Sequence, residues 1–151
     1  MRLPVGSGPV THLAMTAAEL NEFLGSAFPG APRSYRVEQV DQDGVRMRIP
    51  YDAGQLRPGG TLSGPTMMAL ADGAAWMVTL SRIGPVALAV TSSLTIQFLA
   101  KPEPADLLAH ASLLRLGRRQ SVSEVRLWSE GSDPGTPVAH ATVTYAIPAA
   151  S

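Results

Sequence analysis

Residues 59–82 form an apolar stretch that any fold of this chain must cover. The stretch opens with a glycine-rich loop that leads into Ser63, Gly64 and Pro65. Ser63 or Gly64 suits an N-cap, and proline suits the first helical turn because its missing N–H needs no acceptor there. The sequence therefore predicts a helix from Gly64 to about Arg82, or about five turns at roughly 3.6 residues per turn. Apolar residues lie on nearly every face of it, which predicts burial all round: Met67, Met68, Leu70, Ala71, Ala74, Ala75, Trp76, Met77, Val78 and Leu80.

Asp72 is the one charged residue in the middle of this predicted helix. A carboxylate in apolar surroundings is costly unless it is paired or used. Two interpretations follow from the residues alone. Asp72 is a functional group, since such carboxylates are candidates for active sites, or it is a structural group bonded to a backbone or hydroxyl group across a dimer interface.

The rest of the chain predicts one short helix and then mainly strands. Residues 1–14 carry prolines and glycines and predict a loose arm. Thr16 and Glu19 form a capping box, which predicts a helix over residues 16–28. Asp-Gly at 43–44 predicts a hairpin between two strands. The predicted strands are 35–40, 45–50, 86–100, 106–116, 120–130 and 138–147, with a loop at 51–58.

This order of elements predicts an α+β fold with a mainly antiparallel sheet, because helices and strands do not alternate. At 151 residues the chain is expected to be a single domain, 1–151. A helix that is apolar on all sides requires the sheet to curl around it. The part that the sheet leaves bare requires a second subunit, so burial alone predicts a dimer.

Composition excludes several classes of function. The 12 basic and 12 acidic residues balance, so no nucleic acid partner is expected. There are no cysteines, which excludes a disulfide, a thiol nucleophile and a thiolate metal site. No signal peptide is evident, and the apolar helix is too short to span a bilayer. We expect a cytoplasmic protein without a membrane partner and without a bound metal.

The loop and helix resemble a known signature. The pattern Gly60-x-x-Ser63-Gly64-Pro65-x-x-x-x-Leu70-x-Asp72 is similar to Asn-x-x-Gly-x-x-His-Gly-Gly-x-x-x-x-Leu-x-Asp. That signature belongs to hotdog-fold acyl-CoA thioesterases of the phenylacetate-pathway type. Strand 91–99, the Lys101-Pro102 break and Gly117-Arg118-Arg119 match later elements of that family in the same order. The resemblance covers about 35–147.

The resemblance implies a fold, an activity and roles for residues. The fold is a long central helix wrapped by a curved antiparallel sheet. The activity is hydrolysis of an acyl-CoA at a site shared across a homodimer, or across a homotetramer built as a dimer of dimers. Gly64 matches the N–H that polarises the thioester carbonyl, and Asp72 matches the nucleophile or general base. Thr91 matches a hydroxyl that helps to place water, and Arg118 and Arg119 match contacts to coenzyme A phosphates. No cofactor is implied beyond the coenzyme A of the substrate.

Three positions depart from the family signature. Ser63 stands where the family has histidine, Pro65 where it has a second glycine, and Arg57 where it has asparagine. Ser63 is expected to cap the helix and to lie beside the substrate. Arg57 is either a plain loop charge or a partner for a substrate carboxylate or phosphate. Arg118 and Arg119 likewise fit either a solvated turn or a phosphate contact.

The spacing of Gly64 and Asp72 supports a dimer. They are eight residues apart, which is about 12 Å along one helix, so both cannot contact one thioester carbon within one chain. If both act, Asp72 works with Gly64 of a second subunit, which predicts a two-fold dimer with two sites.

Two other functions remain open at this point. One is a non-catalytic dimer that binds acyl-CoA or another apolar acyl ligand. The other is a dehydratase of the same fold, which is less favoured because no histidine stands at the start of the helix. The chain's histidines (His12, His110 and His140) have no metal-like spacing, and we expect them to be structural.

Overall fold

The computed structural model describes residues 12–27, 35–51, 56–57 and 61–149, with the backbone alone at 56–57 and 61–62. Within these residues the chain has two helices and eight strands. The helices are α1 (Ala17–Ala27) and α2 (Gly64–Ile83). The strands are β1 (Arg36–Asp41), β2 (Gly44–Ile49), β3 (Leu56–Arg57), β4 (Thr61–Leu62), β5 (Val90–Phe98), β6 (Leu107–Leu116), β7 (Gln120–Ser129) and β8 (Ala139–Ala146).

A six-stranded sheet in the order β1-β2-β6-β7-β8-β5 forms the body of the described structure. All its neighbouring strands run antiparallel. Helix α2 contacts every strand of this sheet, so the sheet must curve around the helix. The predicted α+β architecture, a long helix against an antiparallel sheet, is confirmed.

Helix α2 begins as its sequence predicts. Ser63 is the N-cap, with extended backbone angles (φ −76°, ψ 153°), and its hydroxyl accepts the Thr66 N–H at 3.2 Å. The helix ends at Ile83, one residue beyond the prediction, because Gly84 adopts a positive φ of 96° and donates its N–H to Leu80 O at 2.9 Å. A positive φ favours glycine, which explains the end of the helix there.

The burial of α2 is uneven within one chain. From Leu70 to Ser81 most of its side chains are fully buried and form the centre of the core. In the first two turns, however, Pro65 and Ala69 are exposed, and Met68 is 40% exposed. Within one chain, burial is therefore incomplete at this end of the helix, which is the part that the prediction left for a second subunit to cover. The reason is that α2 extends to the edge strand β5, where the sheet stops.

The N-terminal helix confirms its capping box. Glu19 N donates to Thr16 Oγ1 at 3.1 Å, and Thr16 N donates to Glu19 Oε1 at 2.9 Å. The predicted end of this helix at Phe28 lies outside the described residues, as do residues 1–11 of the predicted arm. Ala14, within the predicted arm, donates its N–H to Ser81 O at 2.7 Å. The chain is therefore attached to α2 before α1 begins.

The two edges of the sheet differ in how they are covered. At β1, the Asn21 side chain of α1 accepts the Val37 N–H at 2.8 Å and donates to Val37 O at 2.9 Å. The amide thus occupies both backbone groups of one edge residue. At β5 the side chains are largely exposed, with Val90 at 56% and Phe98 at 50%.

Two loop and strand predictions are wrong. The predicted loop 51–58 contains β3, which pairs with β4 just before α2. The strand predicted from residue 86 begins only at Val90, because a turn with an Ala89 N–H to Val86 O bond intervenes. The described helices include none that is long and apolar enough to cross a membrane.

Candidate active site

The Asp72 carboxylate is partly buried and bonded to two hydroxyl groups. Its Oδ1 accepts from Thr91 Oγ1 at 2.6 Å and from Tyr145 OH at 2.9 Å. The Tyr145 hydroxyl is also 3.1 Å from the main-chain oxygen of Asp72. Hydrogen bonds to a charged acceptor are stronger than neutral ones, so these contacts offset the cost of placing a carboxylate against the core. The carboxylate that stood alone in the sequence therefore has partners from two strands.

The sheet register brings these groups together. Thr91 of β5 and Tyr145 of β8 are direct cross-strand partners, and Ser121 of β7 is the next residue in the same row. The β5 register shifts between Thr91 and Ser93, and such bulges change the direction of a side chain. The row continues the polar contact with α2, because Ser121 Oγ lies 2.7 Å from the hydroxyl of Thr79. Thus the polar residues of three strands meet one side of α2.

Tyr145 is a site residue that the sequence analysis missed. Its side chain is only 4% exposed, and burial raises its pKa above the ordinary tyrosine value. The Thr91 hydroxyl opposes this shift, whereas the charge and hydrogen bond of Asp72 increase it. The phenol therefore stays protonated and acts as a donor. The sequence does carry a signal for Tyr145. The alternating pattern of β8 puts this residue on the inward face of the sheet, where a tyrosine brings a hydroxyl group next to apolar neighbours.

The first turn of α2 leaves one main-chain donor without an acceptor. Helix N-termini have N–H groups with no intrahelical partner. Pro65 has no N–H, and the Thr66 N–H is bonded to Ser63 Oγ. Within the described residues, no acceptor is recorded for the Gly64 N–H. This donor lies at the positive end of the helix dipole, where negative charge is stabilised.

The Phe98 ring covers one side of Gly64. A Cβ atom built on Gly64 would lie 3.4 Å from Phe98 Cζ, and half of the Phe98 side chain remains exposed. The Phe98 ring and Gly64 are therefore neighbours at one end of β5. Thr91 and Asp72 are neighbours at the other end of that strand.

One chain does not bring all the sequence-predicted site residues together. Gly64 and Asp72 lie on one helix and remain separated by about 12 Å. Ser63 is the cap of α2. Arg57 lies in β3, and its side chain lies outside what the structure describes. Arg118 and Arg119 are exposed in the turn between β6 and β7.

That turn is close to the Tyr145 end of β8. Arg119 O accepts the Ile147 N–H at 2.9 Å, and Gln120 pairs with Ala146. The basic turn and the Asp72 row therefore lie at the same end of the sheet. Among the described residues, no hydrogen bond joins the side chains of the basic turn to those of the Asp72 row.

His110 and His140 lie on strands but do not face this site. His140 Nε2 lies 2.9 Å from Glu124 Oε1, and both side chains alternate with core residues, which puts them on the face of the sheet away from α2. His110 occupies the same row on β6 as Arg126 does on β7. Across the described ranges, no group of three His, Asp or Glu side chains is arranged to hold a metal ion.

Comparison with known proteins identifies the family. The sequence profile of the thioesterase superfamily matches residues 59–136, which is just over half of the chain and includes Gly64, Asp72 and Thr91. The chain belongs to the thioesterase superfamily. The enzyme class implied by the sequence resemblance, a thioester hydrolase, is confirmed. No curated protein matches the chain.

Solved structures agree with this assignment. A candidate thioesterase from Silicibacter sp. TM1040 is 39% identical over 91% of this chain and 95% of its own, with a TM-score of 0.83. Zebrafish thioesterase superfamily member 2 is 18% identical over 89% of this chain and 99% of its own, with a TM-score of 0.75. A Haemophilus influenzae thioesterase is 17% identical over 89% and 92%, with a TM-score of 0.73. The last two support the fold alone. The hotdog fold is confirmed, and the phenylacetate-pathway type stays a prediction.

Proposed function

We propose that this thioesterase hydrolyses an acyl-CoA to a free acid and coenzyme A, with Asp72 and the Gly64 N–H as its catalytic groups. The observation that carries the proposal is the Asp72 carboxylate, which is fixed through Oδ1 by two hydroxyls while Oδ2 has no recorded donor within the described residues. A fixed carboxylate with one free oxygen is a suitable base or nucleophile. The superfamily supplies the reaction class.

The proposed chemistry divides the work between the N-terminus of α2 and its middle. The Gly64 N–H donates to the thioester carbonyl oxygen and stabilises the negative charge that develops there. Asp72 takes a proton from water, the water oxygen attacks the carbonyl carbon, and the C–S bond then breaks. The departing thiolate takes the proton back from Asp72. In the alternative route Asp72 itself attacks the carbonyl carbon, the C–S bond breaks and coenzyme A leaves as a thiolate. Water then hydrolyses the mixed anhydride, which releases the acid, restores the Asp72 carboxylate and supplies the proton that the thiolate takes up.

The two groups meet only if a second copy contributes one of them. Strand β5 is the uncovered edge of the sheet, and exposed apolar side chains lie on it and on the adjoining turns of α2. An antiparallel, two-fold pairing of two β5 strands centred near Leu94 would set Phe98 of one copy beside Val90 and Thr91 of the other. Gly64, under Phe98, would then approach Asp72 of the second copy. This pairing supports a dimer with two shared sites, and a dimer of dimers contains the same unit.

We propose that the phosphates of coenzyme A bind at the exposed basic turn between β6 and β7. Arg118 and Arg119 are exposed in a turn at the Asp72 end of the sheet, and guanidinium groups suit phosphate oxygens. Thr91 is proposed to act through its bond to Asp72, where the resemblance implied a role in placing water. Ser63 holds the helix end, so its part in substrate binding is to keep the Gly64 donor in position. Arg57 stays a proposed contact for a substrate carboxylate or phosphate.

The test is thioester hydrolysis by the wild-type chain and by Asp72→Asn, using a panel of acyl-CoA substrates read by thiol release. Asparagine is nearly isosteric and keeps hydrogen bonding, so the variant is expected to fold. General base catalysis contributes typically about 10²–10⁴-fold, and kcat should fall by that order. Asp43→Asn, in the exposed β1–β2 turn, is the matched control and should keep the wild-type rate.

Two results would count against the proposal. A folded, dimeric Asp72→Asn that keeps more than half of the wild-type rate would mean that Asp72 is not the catalyst. A wild-type chain that binds acyl-CoA but hydrolyses none of the panel would support the non-catalytic alternative instead.

A further inference from the structure

We propose that Tyr145 is a positioning residue that, together with Thr91, holds Asp72 Oδ1 and so leaves Oδ2 as the one oxygen that reacts. The inference rests on the proposed function and assigns a residue to it. Tyr145 is not expected to touch the substrate. Its effect passes through Asp72.

The first step of the argument is the hydrogen-bonding capacity of the carboxylate. Each carboxylate oxygen accepts about two hydrogen bonds. Oδ1 accepts from Thr91 Oγ1 at 2.6 Å and from Tyr145 OH at 2.9 Å, so it is saturated. Within the described residues, Oδ2 has no recorded donor. The two oxygens of Asp72 therefore differ before any substrate binds.

The second step is that Tyr145 keeps its proton and donates it to Asp72. The side chain is almost fully buried, and burial raises its pKa above the ordinary value, further supported by the negative charge of Asp72. A phenol carries one hydrogen, and both recorded acceptors for it belong to Asp72: Oδ1 and the main-chain oxygen. Because both acceptors belong to Asp72, the inference assigns Tyr145 the role of a donor to Asp72 and not that of a general acid.

The third step is rigidity. Tyr145 lies on β8, which is paired on both sides, with Ser121 of β7 and Thr91 of β5 as its cross-strand neighbours. Thr91 lies on the exposed edge strand. Within one chain, Tyr145 is therefore the donor whose strand is paired on both sides. Because Tyr145 OH contacts both the main chain and the side chain of Asp72, it opposes rotation of the carboxylate away from the site.

The test begins with Tyr145→Phe, which removes one oxygen and keeps the ring that fills the core. Hydrogen bonds to charged groups are worth enough that kcat should fall by about 10- to 100-fold. KM should stay within about twofold of wild type, because a residue that does not touch the substrate leaves ground-state binding unchanged.

A double variant separates positioning from a general structural effect. Tyr145→Phe added to Asp72→Asn should lower the rate no further than Asp72→Asn alone, because residues that act as a unit are not additive. Tyr35→Phe is the matched control, since Tyr35 is partly buried against the core and should keep the wild-type kcat and KM. Thr91→Val removes the other donor and should reproduce the loss of kcat at unchanged KM, so the inference is tested even if Tyr145→Phe does not fold.

The outcomes distinguish this inference from the proposed function. If the wild-type chain is active and Asp72 is essential, but Tyr145→Phe and Thr91→Val both keep kcat within about twofold, the inference is overturned and the proposed function stands. A rise in KM with unchanged kcat, or an additive loss in the double variant, also overturns it. If the wild-type chain hydrolyses no acyl-CoA, both fall together.

Discussion

Replacing Gly64 by proline tests the oxyanion donor more directly than any side-chain variant. Proline is favoured at the first position of a helix, which is the position of Gly64. The preceding Ser63 has an extended ψ of 153°, which is the conformation that a following proline requires. Gly64→Pro should therefore leave the helix start intact while it deletes one N–H.

The size of the effect follows from the donors in the first turn of α2. Pro65 has no N–H, and the Thr66 N–H is bonded to Ser63 Oγ. Within the described residues, the Gly64 N–H is therefore the one main-chain donor of these three residues without an acceptor, and Gly64→Pro removes it. Removal of one such donor costs about 10²–10³-fold in kcat, or about 2.7–4 kcal/mol of transition-state stabilisation. We expect a loss of that order for Gly64→Pro with little change in KM.

Gly64→Ala is the matched control. It adds the same Cβ as proline does, at 3.4 Å from Phe98 Cζ, which is an ordinary van der Waals contact, and it keeps the N–H. Steady-state thiol release on the best acyl-CoA of the panel, with melting temperature and dimer content measured in parallel, decides the matter. If folded, dimeric Gly64→Pro is as active as Gly64→Ala, the Gly64 N–H is not the oxyanion donor.

Two further predictions concern assembly and acid stability. Val90→Lys, at the exposed end of β5, should leave the chain monomeric by light scattering and abolish thiol release, whereas Leu114→Lys, equally exposed on β6, should still form the proposed dimer. A dimeric Val90→Lys would argue against β5 pairing. Asp106 accepts the Tyr51 N–H and pairs with Arg48, and these contacts hold its pKa below the usual range despite desolvation. The pKa of Asp106 in the folded chain lies below the unfolded value of about 3.9. The stabilisation from the Asp106 carboxylate is therefore present above pH of about 3.9 and is lost as the pH falls through the folded pKa. The melting temperature should consequently fall less steeply with acid in Asp106→Asn than in wild type.

Local sequence signals predicted the start of α2 and the position of the carboxylate. Ser63 and Pro65 act on the backbone within the first turn of the helix, so their effect can be predicted without knowledge of the tertiary structure. Asp72 was identified because a charge among apolar residues needs a partner wherever it lies. The nature of that partner was not predictable, because Tyr145 is 73 residues away and meets Asp72 only through the register of three strands.

Two features of the fold were not predictable in detail, for different physical reasons. Apolar composition predicts that α2 is covered, but it does not say which part the sheet covers and which part is left bare within one chain, as Met68 is. The two-residue strands β3 and β4 are too short to show a period-2 pattern, so residues 51–58 were taken for a loop.

The Asn21 side chain affects how copies of this chain can associate. With its amide bonded to both backbone groups of Val37, β1 cannot readily accept a strand from another molecule. Had both edges been open, β5 of one copy could add to β1 of the next, a heterologous contact that repeats without closing and yields filaments. With Asn21 at Val37, addition of a strand at β1 is hindered, and β5 is left to meet its own equivalent in the proposed dimer. Growth would then stop at the isologous pair, so one asparagine would help to limit an edge-to-edge polymer to a closed particle.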